Sequence, residues 1–338
     1  MSYPKTLRFV FPLLLALLAG TPAPLVAEEE GEASAPLDVT AAAIVHISVQ
    51  ALADARTGPQ LGARREGSGI VIDEAGHILT IGYLVIEAGS VEITTADGRT
   101  LPAAVAGYDH SSGFAVLRAL APLGIRPLAL GASERVGERD PVLVVPHGGL
   151  TAARLAFVVS RRSFTGSWEY LLESAIFTTP PIRDWAGSAL IDREGTLVGV
   201  GSLLVGDSAE SEPPMAGNLF VPVDLLKPIL ADLIRSGRAA GPARPWLGLA
   251  AEELHGHLLV SRVSPEGPAE RAGIRRGDIV VGVGGEPVRT QAELYRKVWA
   301  RGPAGIGVPL RVLQGVEVRE LQIDSVDRLD YLRRPPSH

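Results

Sequence analysis

The sequence predicts a mainly β protein, with a closed, strand-rich sandwich or barrel over residues 41–236 and a smaller α+β domain over residues 245–326. Three observations carry that expectation. Short apolar runs separated by turn-forming residues repeat from Ile44 to Val223; one stretch of three- and four-residue apolar spacing follows near residue 230; a Gly/Pro/Ala-rich stretch then interrupts the pattern. At 338 residues the length suits roughly two domains. Apolar residues make up 46% of the chain, enough for packed cores and too many for a disordered protein. The net charge of −6 offers nucleic-acid phosphates no attractive field, so no nucleic-acid partner is expected. Cysteine is absent, which removes disulfides, Cys-ligated zinc and thiol nucleophiles together.

Residues 1–27 have the form of a secretory signal peptide. Lys5 and Arg8 precede an apolar run at residues 9–19, and small residues lead to a cleavage position after Ala27. The run is about half the ~20 residues that a membrane-spanning helix needs. Left uncleaved, the segment would act as an anchor. Residues 28–40 open on Glu28-Glu29-Glu30 and form an acidic leader too poor in apolar side chains to fold.

Strands are expected at residues 44–49, 69–72, 78–84, 91–94, 114–117, 142–145 and 197–204, with turns at 73–76, 96–98 and 192–195. Leu225, Leu226, Ile229, Leu230, Leu233 and Ile234 then mark one face of a helix, and Gly237 stands where its C-terminal cap belongs. Residues 237–244 link the domains. In the second domain the turn chemistry predicts a short helix at 269–272 stopped by Gly273. A strand at 279–283, a helix near 290–300 and a hairpin around Gly315 follow. The tail at 327–338 carries basic residues and is expected to fray.

The second domain carries RPWLGL at 244–249, VSPEGPAERAGIRRGDIVVGVGGEPV at 263–288 and TQAELYRKV at 290–298. These segments resemble a PDZ domain. The resemblance implies that a peptide C-terminus adds as an extra strand, its carboxylate held by backbone N–H groups of a short loop. Here that loop is Trp246-Leu247-Gly248-Leu249, where Gly248 lets the backbone approach without a Cβ. Leu294 and Val298, four apart on one helix face, would wall the pocket for the last side chain. The alternative is that these leucines and the valine are only core.

The first domain carries GSGIVID at 67–73, ILTIGYLV at 78–85 and YDHSSGFAVLRAL at 108–120. ASERVGERDPVLVV at 132–145, IRDWAGSALIDREGTLVGV at 182–200 and NLFVPVDLLKPIL at 218–230 follow. In order and spacing they resemble the trypsin-like protease domain of the HtrA/DegP/DegS family, which implies a double β-barrel followed by one PDZ domain. The family motifs TxxHV, DxxxDxAL and GNSGGAL place its catalytic His, Asp and Ser on Tyr83, Gly113 and Ala186 of this chain. A phenol of pKa near 10 is a poor general base, glycine has nothing to orient it, and alanine has no oxygen to attack a carbonyl. Asp184 and Trp185 also stand where the family has a glycine and a small amide, and a carboxylate there opposes oxyanion charge.

A displaced nucleophile such as Ser188 would need several coincident shifts. His77, expected on the solvent side of a turn, together with His110 and His147, shows no metal-binding spacing and is expected as scattered surface histidine, with no cofactor. The expectation is a secreted, periplasmic HtrA-type pseudoprotease that binds protein C-termini or unfolded segments as scaffold, chaperone or regulator. By resemblance it would form a homotrimer or a mixed assembly with an active relative. The alternatives are a serine endopeptidase with non-standard catalytic residues and a metal-binding accessory protein on the same fold.

Overall fold

The computed structural model describes residues 40–334, so the signal segment and nearly all of the acidic leader lie outside the described residues. The strands of the described residues form two closed six-stranded barrels and one open sheet. The first barrel holds β1 (Ile44–Ala51), β2 (Arg64–Val71), β3 (His77–Ile81), β4 (Ala88–Thr94), β5 (Thr100–Tyr108) and β6 (Phe114–Ala119), in the order β1-β2-β3-β6-β5-β4. The second holds β7 (Pro141–Val145), β8 (Arg154–Gly166), β9 (Tyr170–Thr179), β10 (Ala189–Ile191), β11 (Leu197–Val205) and β12 (Gly217–Pro222), closed as β10-β11-β12-β9-β8-β7. Closure removes the unpaired edges that so many short strands would otherwise expose. One apolar cluster, with Ile47, Leu79 and Phe114 from the first barrel and Phe177, Val200 and Val221 from the second, runs through both.

The smaller domain is a sheet of β13 (Leu249–Leu254), β14 (His257–Val263), β15 (Ile279–Val283), β17 (Gly307–Gln314) and β18 (Glu317–Asp324), with β16 (Glu286–Pro287) paired to β15. Among the helices are α1 (Gly58–Leu61), α2 (Gly82–Val85), α3 (Leu230–Ser236), α4 (Pro268–Arg271), α5 (Gln291–Trp299) and α6 (Arg328–Tyr331). Thr290 caps α5 by accepting the Glu293 N–H, and α5 packs Leu294, Tyr295 and Val298 onto the sheet.

Most expected strands are present, with two departures. The strand expected at 78–84 ends at Ile81, and Gly82 starts a helical turn. The Gly82 N–H donates to the Gly113 carbonyl at 2.7 Å, and a Cβ there would meet the Tyr108 ring at 2.2 Å, so the chain turns inward at this glycine. The apolar stripe at 225–234 is split into a 3-10 turn at Val223–Leu225 and α3, with Pro228 between them, which has no N–H to carry a continuous helical ladder. Gly237 caps α3 in the left-handed region, as expected.

The tail is a correction. Through Arg334 it is docked, not frayed. The Arg333 N–H donates to Glu87 at 2.8 Å, the Tyr331 hydroxyl donates to the Pro265 carbonyl at 2.9 Å, and the Tyr331 ring lies between Trp246 and the Arg56 guanidinium.

Helix α3 lies on the first barrel against Gly107, where a Cβ would come 2.5 Å from the Leu233 carbonyl oxygen. Backbone cannot yield there as a side chain can. Gly107→Val is therefore expected to lower stability by about 1–3 kcal/mol in urea denaturation, the cost of overpacking.

Candidate functional site

Where the barrels meet, a cleft of about 390 Å³ is bordered by Tyr83, Tyr108, Gly113, Trp168, Tyr170 and Trp185. Tyr83 comes from α2, Gly113 precedes β6, and Ala186 lies next to Trp185 in the turn before β10. The structure therefore gathers the three positions at one seam. The Tyr83 hydroxyl donates to the Ser202 carbonyl at 2.8 Å, and burial pushes its phenol above the ordinary range, so it is a fixed donor rather than a base. Gly113 sits at φ 80°, and a Cβ there would lie 2.9 Å from the Tyr170 hydroxyl, which donates to the Ser112 carbonyl at 2.6 Å. A carboxylate side chain at 113 has neither a relaxed backbone nor room.

The Ala186 carbonyl accepts the Ser68 N–H at 2.8 Å, and Asp184 is exposed at the rim. Ser188 is buried, and its hydroxyl donates to the Trp185 carbonyl at 2.9 Å.

Sequence reasoning missed a different serine. Ser68 Oγ accepts the backbone N–H of His147 at 2.9 Å and lies 3.0 Å from its Nδ1, within hydrogen-bond reach of the ring. Burial, followed by the neighbouring His46 ring at 4.6 Å, holds His147 below its usual pKa. This is nucleophile–base geometry, yet Ser68 exposes no surface. The two residues are 79 apart in the chain, and no local motif links them.

The other histidines correct the expectation of scattered surface groups. His77 is buried at the start of β3, where its Nδ1 lies 2.6 Å from Asp73 and its N–H donates to the same carboxylate. The His110 ring contacts Tyr108, Arg328 and the Glu169 carbonyl. His77, His110 and His147 thus each have separate partners, and among the described residues no group of three His, Asp or Glu side chains is arranged to hold a metal.

The second-domain groove runs between the edge strand β13 and α5. Gly248 has φ 78°, and a Cβ would touch Trp246 at 3.0 Å, so the loop before β13 needs glycine to bend. The N–H groups of Leu247, Gly248 and Leu249 converge on one carboxylate, that of Glu169, at 2.9, 2.7 and 3.3 Å. Leu247, Leu249, Leu294 and Val298 pack in one apolar cluster, which also takes in Leu171 from β9. Trp246 stands at the mouth, bridged to Val326. Sequence reasoning placed these residues together and missed Glu169, whose only local signal is an acidic residue set among Trp168, Tyr170 and Leu171.

Residues 67–200 match the trypsin-like peptidase domain family and residues 259–303 match the PDZ domain family. The serine endoprotease DegS of Escherichia coli is 27% identical over 282 residues, covering 78% of this chain and 77% of DegS. The chain is a homologue of the HtrA proteases. Chloroplastic Protease Do-like 1 of Arabidopsis thaliana is 29% identical across 76% of this chain and 62% of that protein. In fold, this HtrA homologue matches the serine endoprotease from Yersinia pestis (TM-score 0.51, 24% identity, 87% of this chain and 97% of that one). It also matches the HtrA-type protease AlgW with decapeptide (TM-score 0.53, 20% identity, 90% and 99%).

Burial pushes the Glu169 carboxyl of the HtrA homologue up to about 7, against the opposing pull of the Leu247, Gly248 and Leu249 N–H groups and of the Arg328 charge. His110 and Arg328, with Arg244 and Trp246, also line a cavity of about 260 Å³ beside it. A carboxyl raised from 4.5 holds its proton in the folded state after the unfolded chain has lost its own. Its contribution is therefore full below about pH 4.5 and declines as pH rises through about 7. Thermal melts between those values should show Glu169→Gln flattening this decline, and an unchanged profile would refute the assignment.

Proposed function

We propose that this HtrA homologue has given up hydrolysis and works by binding protein C-termini through its PDZ groove, as a scaffold, chaperone or regulator. The observation that carries the first half is the Tyr170 phenol seated beside Gly113, in the space a triad carboxylate would need. Tyr83 as a fixed donor to Ser202 and Ala186 without a hydroxyl support it from the other two positions. The convergence of three backbone N–H groups on a carboxylate at residues 247–249 supports the second half.

Secretion follows from the signal segment, and a periplasmic location is in keeping with a relative named periplasmic serine endoprotease DegP, 27% identical over 288 residues. Assembly as a homotrimer, or with an active relative, belongs to the same proposal.

The Ser68–His147 pair favours a second reading, a serine hydrolase with non-standard residues. A fluorophosphonate probe separates the two. The wild-type protein is expected to remain unlabelled and to leave casein intact, and so is the triple variant Tyr83→His, Gly113→Asp, Ala186→Ser. Labelling of the wild type that disappears in Ser68→Ala would establish the hydrolase instead. For the groove, Leu294→Asp is expected to weaken binding of a peptide with a free C-terminus by at least about tenfold, as a buried charge in an apolar pocket should. Amidating the peptide should have a comparable effect, measured by fluorescence anisotropy.

A further inference from the structure

The groove proposed to take protein C-termini is filled by the chain's own β8–β9 hairpin. Glu169, at its tip, is 4% exposed, and all three N–H donors of residues 247–249 go to its carboxylate. A peptide C-terminus would present the same group, a carboxyl with two oxygens, to the same donors. Leu171, two residues on, sits in the apolar cluster with Leu294 and Val298, where the terminal side chain of a bound peptide would go.

The hairpin is also tied to α5, beside β13. The Gln291 amide donates to the Ala251 carbonyl on β13, and its own oxygen accepts from Thr165 of β8 at 2.8 Å. From α5 the Tyr295 hydroxyl donates to the Gly166 carbonyl at 2.9 Å. Glu169 holds φ 61°, a conformation that L-residues avoid without compensating contacts. The backbone is bent at the residue whose carboxylate reaches the loop.

We infer that the β8–β9 hairpin is an internal ligand of the PDZ groove, so that an external protein C-terminus binds only by displacing Glu169 from residues 247–249. The inference rests on the C-terminus-binding role proposed above. The partner it implies is a chain with a free carboxylate and a terminal aliphatic side chain, since both halves of the internal ligand have that chemistry. Its apparent affinity is reduced by the fraction of molecules in which the hairpin has left the groove.

The test uses the full chain as wild type, Glu169→Gln and Glu169→Ala. The probe is a dye-labelled decapeptide ending in leucine with a free or an amidated carboxylate. Fluorescence anisotropy reads binding, and amide hydrogen exchange reads the protection of residues 247–249. The expected result is binding of the free-carboxylate peptide tighter by about tenfold or more in Glu169→Ala than in wild type, with Glu169→Gln between them. The amidated peptide should bind none of the three. Exchange at 247–249 should speed up in Glu169→Ala and slow again when peptide is added. Should the alanine variant fail to fold, Glu169→Gln, which keeps the shape, carries the same comparison.

Equal affinity in wild type and variants, with the carboxylate still required, would overturn displacement and leave the binding role intact. Faster exchange at 247–249 with no binding of either peptide by any variant would overturn both.

Discussion

The tip of the β8–β9 hairpin, where the chain turns through Glu169 at φ 61°, governs two sites at once. Trp168 and Tyr170 stack at 5.5 Å and border the inter-barrel cleft, while Glu169 and Leu171 enter the PDZ groove. The phenol that crowds Gly113 and the carboxylate that occupies residues 247–249 are therefore neighbours in the chain. A buried carboxylate is costly unless donors surround it, and the PDZ loop supplies three. The pairing of Thr165 with Leu171 and of Gly166 with Tyr170 holds this turn in place, and with it both sets of contacts.

The seam between the barrels is held by packing and by hydrogen bonds to backbone carbonyls. Tyr83 to Ser202, Ser68 to Ala186 and Tyr170 to Ser112 all cross it, and each ends on a carbonyl. The Tyr83 and Tyr170 hydroxyls are thus paired within the protein. Tight approaches reinforce this: a Cβ on Gly187 would lie 2.0 Å from the Ser68 carbonyl oxygen, and one on Gly201 would lie 2.0 Å from that of Trp185. The loop carrying Ala186 is locked between neighbours, which is compatible with stability and leaves little play for substrate-induced rearrangement.

Much of this was legible in the residue order. Strands such as β7 and β15 announce themselves as apolar runs bounded by turns, and Gly248 marks a loop that must approach something closely. β8 and β9 were hidden by Arg161, Arg162 and Glu173 among their apolar residues, since strands that serve an interface on one side do not read as simple half-buried strands. Glu169 lies 78 residues from Leu247, and Ser68 lies 79 from His147; contacts of that span are set by topology, not by any local pattern. His77 looked like a solvent-facing turn residue because Asp73, its partner four positions back, had already been spent on the turn.

The docked tail gives the PDZ domain a two-point mount. Its N-terminal side leaves α3 through the linker, while beyond β18 the chain returns to the first barrel, with Arg333 at Glu87 and Asp54 and Arg328 at His110. Arg56 of that barrel also reaches Pro265 and Glu266 in the domain itself. A body tied by its chain at one point can swing; tied at two, it can only turn about the line joining them once side-chain contacts such as that of Arg56 are released. Any motion that opens the groove is thereby steered toward a hinge along that line, and large free excursions of the domain first require the tail to detach.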